Sequence, residues 1–313
     1  MATALITVFG IAILAKYRRK NSDLKHSIET NDQSIATLES QIETLDNSIV
    51  SESERCNKAN NKKIEGIRYA RRIQRAAFPQ REIGNIFNEY FIFTNPLGIV
   101  TGDFYKAVEI KNYKIFALAD CAGHGVPGAF LTMLGLSALK ESLMKHFNDS
   151  NICLANILNE MRQYIKTTLH SNDNSFVNIN DGMNLSLCAF DTNNRIIFAG
   201  ANHNVYLYSN GQLSSYHGDR MPVGWSFKGD GAFSETSINA QKGDMLYFVT
   251  DSLQSQFGGP NNMKFSVKRL TEMLENIATL PIEEQKKSIE TIFNQWTNGQ
   301  ENIDDITVVG LRV

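Results

Sequence analysis

The stretch from Tyr113 to Phe130, YKIFALADCAGHGVPGAF, decides most of the reading. Tyr113 to Ala119 is a short, mainly apolar run and predicts a buried strand. Asp120 ends that strand, and Cys121-Ala122-Gly123-His124-Gly125 runs on from it. Pro127 then stands where proline suits the first turn of a helix, one that reaches about His146. Gly123 to Gly128 also satisfies GxGxxG between a strand and a helix, the context of a dinucleotide-binding loop. The sequence downstream excludes that use. Met183 to Phe190 alternates as a strand, Asp191 to Asn194 is a turn, and Arg195 to Ala199 is the next strand. Val205 to Tyr208 then leads into Asn210-Gly211, a strong hairpin signal. Hairpins follow the Pro127 helix, with no second parallel strand to present a ribose-binding acid.

Working outward, Phe91 to Phe93 and Gly98 to Val100 are short strand-like pieces on the N-terminal side, and Ile152 to Leu169 is an amphipathic helix. On the C-terminal side come an apolar strand at Met245 to Thr250, helices at Val267 to Ile277 and Ile282 to Trp296, and a closing strand at Ile306 to Val313. Hairpin-linked strands flanked by helices predict an α+β domain, antiparallel sheets covered by helices.

The first 71 residues differ in texture. Ala2 to Ala15 is uncharged and mostly apolar, and Lys16, Arg18, Arg19 and Lys20 follow it. A spanning helix usually takes about 20 apolar residues, so the run is short. Its basic flank lies on the wrong side for a signal peptide and favours a cytoplasmic C-terminal side. We read residues 1–17 as a single membrane anchor, with the rest of the chain on the cytoplasmic face of the cell membrane. Residues 18–71 form a long polar helix whose apolar positions Leu24, Ile28, Ile35, Leu38, Ile42, Leu45 and Ile49 alternate steps of three and four, interrupted at Asn31. That narrow stripe is a coiled-coil seam and implies a homodimer. Pro79 predicts the end of the helix just before it, and residues 72–313 form the compact domain.

Composition narrows the function. With 31 Lys and Arg against 33 Asp and Glu, the net charge is −2, which excludes a basic nucleic-acid footprint. Cys56, Cys121, Cys153 and Cys188 are scattered without a CxxC pair, so they read as reduced thiols and neither a disulfide frame nor a zinc site.

Acids beside strands carry the chemistry. Asp103 lies in TGDFY, Asp120 ends KIFALAD, Asp251 ends MLYFVTD, and Asp304-Asp305 precede ITVVGLRV. Singly, an aspartate after a strand is more often a turn or cap residue. Together, with no matching cations nearby in sequence, they suggest a shared cation site, because carboxylates at buried strand ends need a partner. Oxygen ligands without Cys or His clusters suit Mg²⁺ or Mn²⁺.

These segments resemble the SpoIIE-like branch of the PPM metal-dependent serine/threonine protein phosphatases, regulators of sigma-factor partner switching. The resemblance runs through IQRAAFP (Ile73 to Pro79), TGDFY (Thr101 to Tyr105), DCAGHGVPGAF (Asp120 to Phe130), GANHNVYLY (Gly200 to Tyr208), GDRMPVG (Gly218 to Gly224), GDMLYFVTD (Gly243 to Asp251), QFGG (Gln256 to Gly259) and DDITVVGLRV (Asp304 to Val313). It implies a four-layer αββα sandwich and two Mn²⁺ or Mg²⁺ ions. It implies that Asp103, Asp120, Asp251 and Asp304 form the catalytic metal site, with the Cys121 carbonyl as a further ligand, and that water is the nucleophile. It implies a phosphorylated regulatory protein as substrate, one resembling an anti-sigma-factor antagonist. Either member of the Asp304-Asp305 pair could face the metals, and we favour Asp304. His124 does not reproduce the spacing of the general-acid histidine of animal members, so it reads equally as a local hydrogen-bonding residue.

One departure stands out. The family reads Thr-Asp-Gly where this chain has Thr250-Asp251-Ser252, and an acid is common where Ser255 stands. A serine for glycine matters if the position needs positive φ or close backbone approach. This leaves open a second reading, a dimeric signalling module that keeps the fold with weakened or lost turnover. A general phosphate-ester hydrolase is a third.

Overall fold

The computed structural model describes every residue except Met1, Pro79, Ser150, 171–180, 193–194 and 226–230. It divides into two units, Met1–Glu65 and Gly66–Val313. The first consists of helix α1 (Ala2–Ala77), whose last turns belong to the second unit. Leu24, Ile28, Ile35, Leu38, Ile42, Leu45 and Ile49 are each more than half exposed along it. The expected membrane span is not found. Among the described residues no helix is long and apolar enough to cross a membrane, because the apolar run stops at Ala15 and four cations follow within five residues.

The second unit is a four-layer αββα sandwich. In chain order its elements begin with α2 (Gln80–Ile86), β1 (Tyr90–Asn95), β2 (Asp103–Ile110), β3 (Tyr113–Cys121), α3 (Gly125–Lys145), α4 (Leu154–His170) and β4 (Gly182–Phe190). The hairpin region follows with β5 (Arg195–Ala201), β6 (Val205–Ser209), β7 (Gln212–Tyr216), β8 (Val223–Gly224), β9 (Thr236–Asn239) and β10 (Met245–Val249). The chain continues with α5 (Asp251–Ser255), β11 (Phe257–Gly258), β12 (Met263–Lys264), α6 (Ser266–Ile277), α7 (Ile282–Thr297) and β13 (Ile306–Arg312). One sheet runs β1-β13-β10-β6-β7 and the other β2-β3-β4-β5-β9, with β8 on β4; all these pairings are antiparallel.

Strand alternation builds the layers, since successive side chains point to opposite faces. Phe116 and Leu118 of β3 meet Leu246 and Phe248 of β10 and Val309 and Leu311 of β13 between the sheets. The opposite faces pack outward. Ile115, Ala117 and Ala119 meet Leu139 of α3 and Leu158 of α4, while Met245, Tyr247, Ile306 and Val308 meet Leu270 of α6 and Ile289 of α7. The β6–β7 turn is Asn210-Gly211, both at positive φ, as a tight hairpin needs. The expected turn at Asp191–Asn194 falls partly outside the described residues. The four cysteines are free.

One local expectation differs. Gly98 to Val100 is not a strand; Asp305 draws the loop in by accepting from the Leu97 and Gly102 N–H groups. β2 is a full strand, although Lys106 and Glu109 mask its alternation in sequence.

Candidate active site

Strand ends gather the acids at one mouth of the sandwich. Asp103 opens β2 and sits directly opposite Asp120, near the end of β3. Both share the parity of Phe116 and Leu118, so both face the space between the sheets. In the other sheet, β10 ends at Val249 beside Val308 of β13, which brings Asp251 and Asp304 to the same end. Thr250 fastens that corner: its N–H donates to the Thr307 carbonyl (3.0 Å), and its hydroxyl oxygen accepts from the Thr307 N–H (2.9 Å).

Asp120, Cys121, Asp251 and Asp304 line a cleft of about 370 Å³, with Asn184, Asn202 and Trp225 among its other walls. Asp103 is buried behind them. Its Oδ2 accepts from the Thr307 hydroxyl (2.6 Å), and its Oδ1 is buried without a partner among the described residues. A hollow of about 610 Å³ opens behind Asp103, beside Arg71, Gln74 and Arg75 of α1. It reaches only one of the four acids, so the chemistry belongs to the smaller cleft.

Electrostatics report crowding. Burial, then the Asp120 charge, pushes the Asp103 carboxyl well above the ordinary range. Burial, then the charges and nearness of the Asp251 and Asp304 carboxyls, pushes Asp120 up to about 8. Carboxyls crowded this way favour a bound proton or a cation between them.

Do these residues fit a divalent cation? Among the described residues no three Asp, Glu, His or Cys groups are gathered tightly enough to enclose one ion. Mg²⁺-like ions are nevertheless commonly held by one or two carboxylates and several waters. An unpartnered buried carboxylate oxygen and a crowd of carboxyls that raise one another's pKa are what such a site shows in protein groups alone, since each is costly without compensation. The donor set is all oxygen, and it fits.

Asp304 and Asp305 separate cleanly. Asp305 is 2% exposed, and its carboxylate accepts from the N–H groups of Leu97 (2.8 Å) and Gly102 (2.6 Å). It holds the loop before Asp103. Asp304 lines the cleft. Cys121 turns its thiol into the helix-side core, where burial raises its pKa, and leaves its main chain at the cleft. His124 is exposed at the N-terminus of α3 and caps nothing.

Ser252 is accommodated. It lies within α5 and not at positive φ, and its hydroxyl donates to the Asp305 carbonyl and lies 3.1 Å from Thr250 Oγ1. Glycine is demanded elsewhere: a Cβ on Gly128 would stand 2.2 Å from the Gly123 carbonyl oxygen, and one on Gly102 2.8 Å from the same atom. These approaches press the loop after Asp120 against the start of β2.

Sequence reading missed four contributors. Thr307 bonds Asp103. Asn184 sits opposite Asp120 and accepts from the Asn202 amide (3.1 Å). Asn202 adopts φ 51°, a conformation in which asparagine is over-represented, the one faint signal available. Gln74, buried near the end of α1, donates to the Thr101 carbonyl (2.6 Å) and Thr132 Oγ1 (3.1 Å) and accepts from the Thr101 N–H (3.1 Å).

Two antiparallel sheets between helical layers, with aspartates at one mouth, define the PPM class of phosphatase. The Stage II sporulation protein E (SpoIIE) family model matches residues 111–313. Among solved structures, the SiaA-PP2C domain of Pseudomonas aeruginosa is 29% identical, with a TM-score of 0.72, covering 82% of this chain and 98% of that one. The PP2C phosphatase domain of SpoIIE from Bacillus subtilis, with a fragment of its regulatory domain, is 17% identical (TM-score 0.58), covering 72% of this chain and 62% of that one. The RsbU and RsbW domains of Rv1364c from Mycobacterium tuberculosis are 16% identical (TM-score 0.54), covering 72% and 60%. Comparison with curated protein sequences gave no match. The chain belongs to the SpoIIE family. It is a hydrolase of the PPM phosphatase class.

Proposed function

We propose that this chain is a metal-dependent serine/threonine phosphoprotein phosphatase in which Asp103, Asp120, Asp251, Asp304 and the Cys121 carbonyl hold two Mn²⁺ or Mg²⁺ ions. The observation that carries the reading is the buried Asp103 Oδ1, without a partner among the described residues, directly across the strand from Asp120, which lines one cleft with Asp251 and Asp304. Such divalent ions supply Lewis acidity to a phosphoryl oxygen and lower the pKa of water, so no protein nucleophile is needed. Thr307 and Asp305 orient what surrounds Asp103. Asn184 and Asn202 place amide groups on the cleft wall, where they can donate to a phosphate. The substrate is a phosphorylated regulatory protein of the anti-sigma-factor-antagonist kind, in keeping with the family.

The exposed stripe from Leu24 to Ile49 supports a homodimer through α1, because a helix with so narrow an apolar face needs a partner to bury it. We propose that a change in dimer packing reaches the cleft through the last turns of α1, where Gln74 holds both main-chain groups of Thr101, two residues before Asp103.

The test is hydrolysis of a phosphoserine protein with Mn²⁺, with Mg²⁺ and with chelator, beside Asp120→Asn. Metal-dependent turnover lost in the variant supports the reading. A folded protein that releases no phosphate under any metal would overturn it in favour of the signalling module.

A further inference from the structure

The chemistry above leaves one rim of the cleft unused. Asn202 lines the acid cleft and also a second hollow of about 290 Å³, whose other walls are Asn204, His217, Gly218 and Arg220. Arg220 is exposed and makes no ion pair or hydrogen bond among the described residues. The main chain beside it is nonetheless held. The Asp219 carboxylate accepts from the Ser234 N–H (2.7 Å) and hydroxyl (3.0 Å), and the Asp219 N–H donates to the Gly200 carbonyl (2.8 Å). The Asp219 carbonyl accepts from the N–H groups of Asn202 (2.7 Å) and Met221 (2.9 Å). Gly218 lies so close to Gly200 that a Cβ on it would be 2.6 Å from the Gly200 carbonyl carbon. Farther along, Trp225 walls the cleft with the Lys166 ammonium 6.0 Å from its ring centroid. A pinned loop thus presents one cation, Arg220, beside a cleft whose floor is acidic, in a chain of net charge −2.

We infer that this rim reads the polypeptide beside the phosphoresidue and selects an acidic flank, with Arg220 taking a carboxylate while the phosphate lies over the aspartates. The inference rests on the phosphatase reading and names the substrate class of the same site. Arg220 is separated from the acids by Asn202, which puts it at a neighbouring residue of the substrate and not at the phosphate. A held main chain leaves only the Arg220 side chain to be ordered on binding, and its planar fork matches a carboxylate.

The test uses the full chain with Mn²⁺ and two phosphoserine peptides that differ only in carrying Glu or Lys beside the phosphoserine. For an exposed pair we expect kcat/KM to favour the acidic peptide about fivefold, mostly through KM. In R220E that preference should vanish or invert, with the Lys peptide gaining. An equal fall on both peptides would put Arg220 on the phosphate itself and overturn the flank assignment, as would a preference that R220E leaves unchanged. Hydrolysis of neither peptide by the unmodified chain would sink the phosphatase reading, and this inference with it.

Discussion

Asp304 and Asp305 are chemically identical neighbours, yet the structure gives them opposite duties, and removing each in turn tests the division. Asp305→Ala strips the partner from two main-chain donors, Leu97 N–H and Gly102 N–H. A buried donor left unsatisfied costs about 1–3 kcal/mol. Two such donors would cost about 2–6 kcal/mol. Asp305 is itself strained by burial, which raises its pKa, so its removal recovers part of that. We expect a net loss of about 3 kcal/mol, or roughly 6–12 °C in Tm for a unit of this size. Asp304→Ala removes one acceptor, for the Asp305 N–H (2.8 Å), at a cost of at most about 1 kcal/mol. It also deletes a charge that raises the pKa of both Asp103 and Asp120, which offsets that cost. Its net effect on the metal-free fold should therefore lie within about 1 kcal/mol, while turnover falls more than about a hundredfold. Thermal melts in chelator and phosphate release with Mn²⁺ read the two quantities separately. The reasoning is refuted if Asp304→Ala melts as low as Asp305→Ala, or if Asp305→Ala keeps the stability of the parent and Asp304→Ala keeps its turnover.

Four further outcomes are expected. Burial and its acidic neighbours push the Asp120 carboxyl up to about 8, above its unfolded value, so its contribution to the metal-free fold is complete below about pH 4 and is lost as pH rises through about 8; a cation competes with the proton on Asp120, so calorimetry in two buffers should show proton release and tighter Mn²⁺ binding as pH climbs from 6.5 to 8.5. His146 is held protonated by Asp149 (2.7 Å) and Glu160 (2.9 Å), which raise its pKa, so its stabilisation is full below about 6.5 and fades above it; denaturant titrations of His146→Gln should show the smallest deficit at alkaline pH. Ser252→Gly should destabilise by about 1–2 kcal/mol, because it deletes the hydrogen bond to the Asp305 carbonyl and adds glycine to a helix, while metal-dependent activity persists. Replacing Leu38 by Asp should convert a dimer to a monomer in analytical ultracentrifugation; an unchanged mass would remove the stripe from the interface.

Much of this architecture was legible because it rests on local pattern. YKIFALAD alternates between two buried faces and reads as a strand; Asn210-Gly211 reads as a hairpin; Pro127 reads as a helix start. The acids were legible as a set because each ends or begins a strand. What stayed hidden depends on residues far apart in sequence. Gln74 is one polar side chain in a helix full of them, and only its approach to Thr101 and Thr132 distinguishes it. Thr307 looks like an ordinary strand threonine until β2 brings Asp103 beside it. The Gly98–Val100 run is apolar enough to suggest a strand, but a carboxylate some 200 positions later captures its neighbours. The glycine expected at Ser252 proved unnecessary because the chain is helical there.

The place of β13 has a consequence for synthesis. It lies in the interior of its sheet, between β1 and β10, and it brings Asp304, Asp305 and Thr307 with it. A nascent chain that has emerged only as far as α7 holds β1 and β10 with a gap between them, an unfilled slot with exposed main-chain donors and acceptors. It also lacks the groups that fix Asp103. β13 must emerge before either the sheet or the catalytic mouth can close. A product that stops before Ile306 therefore leaves β1 and β10 unbridged, and it should be a favoured target of chaperones and proteases.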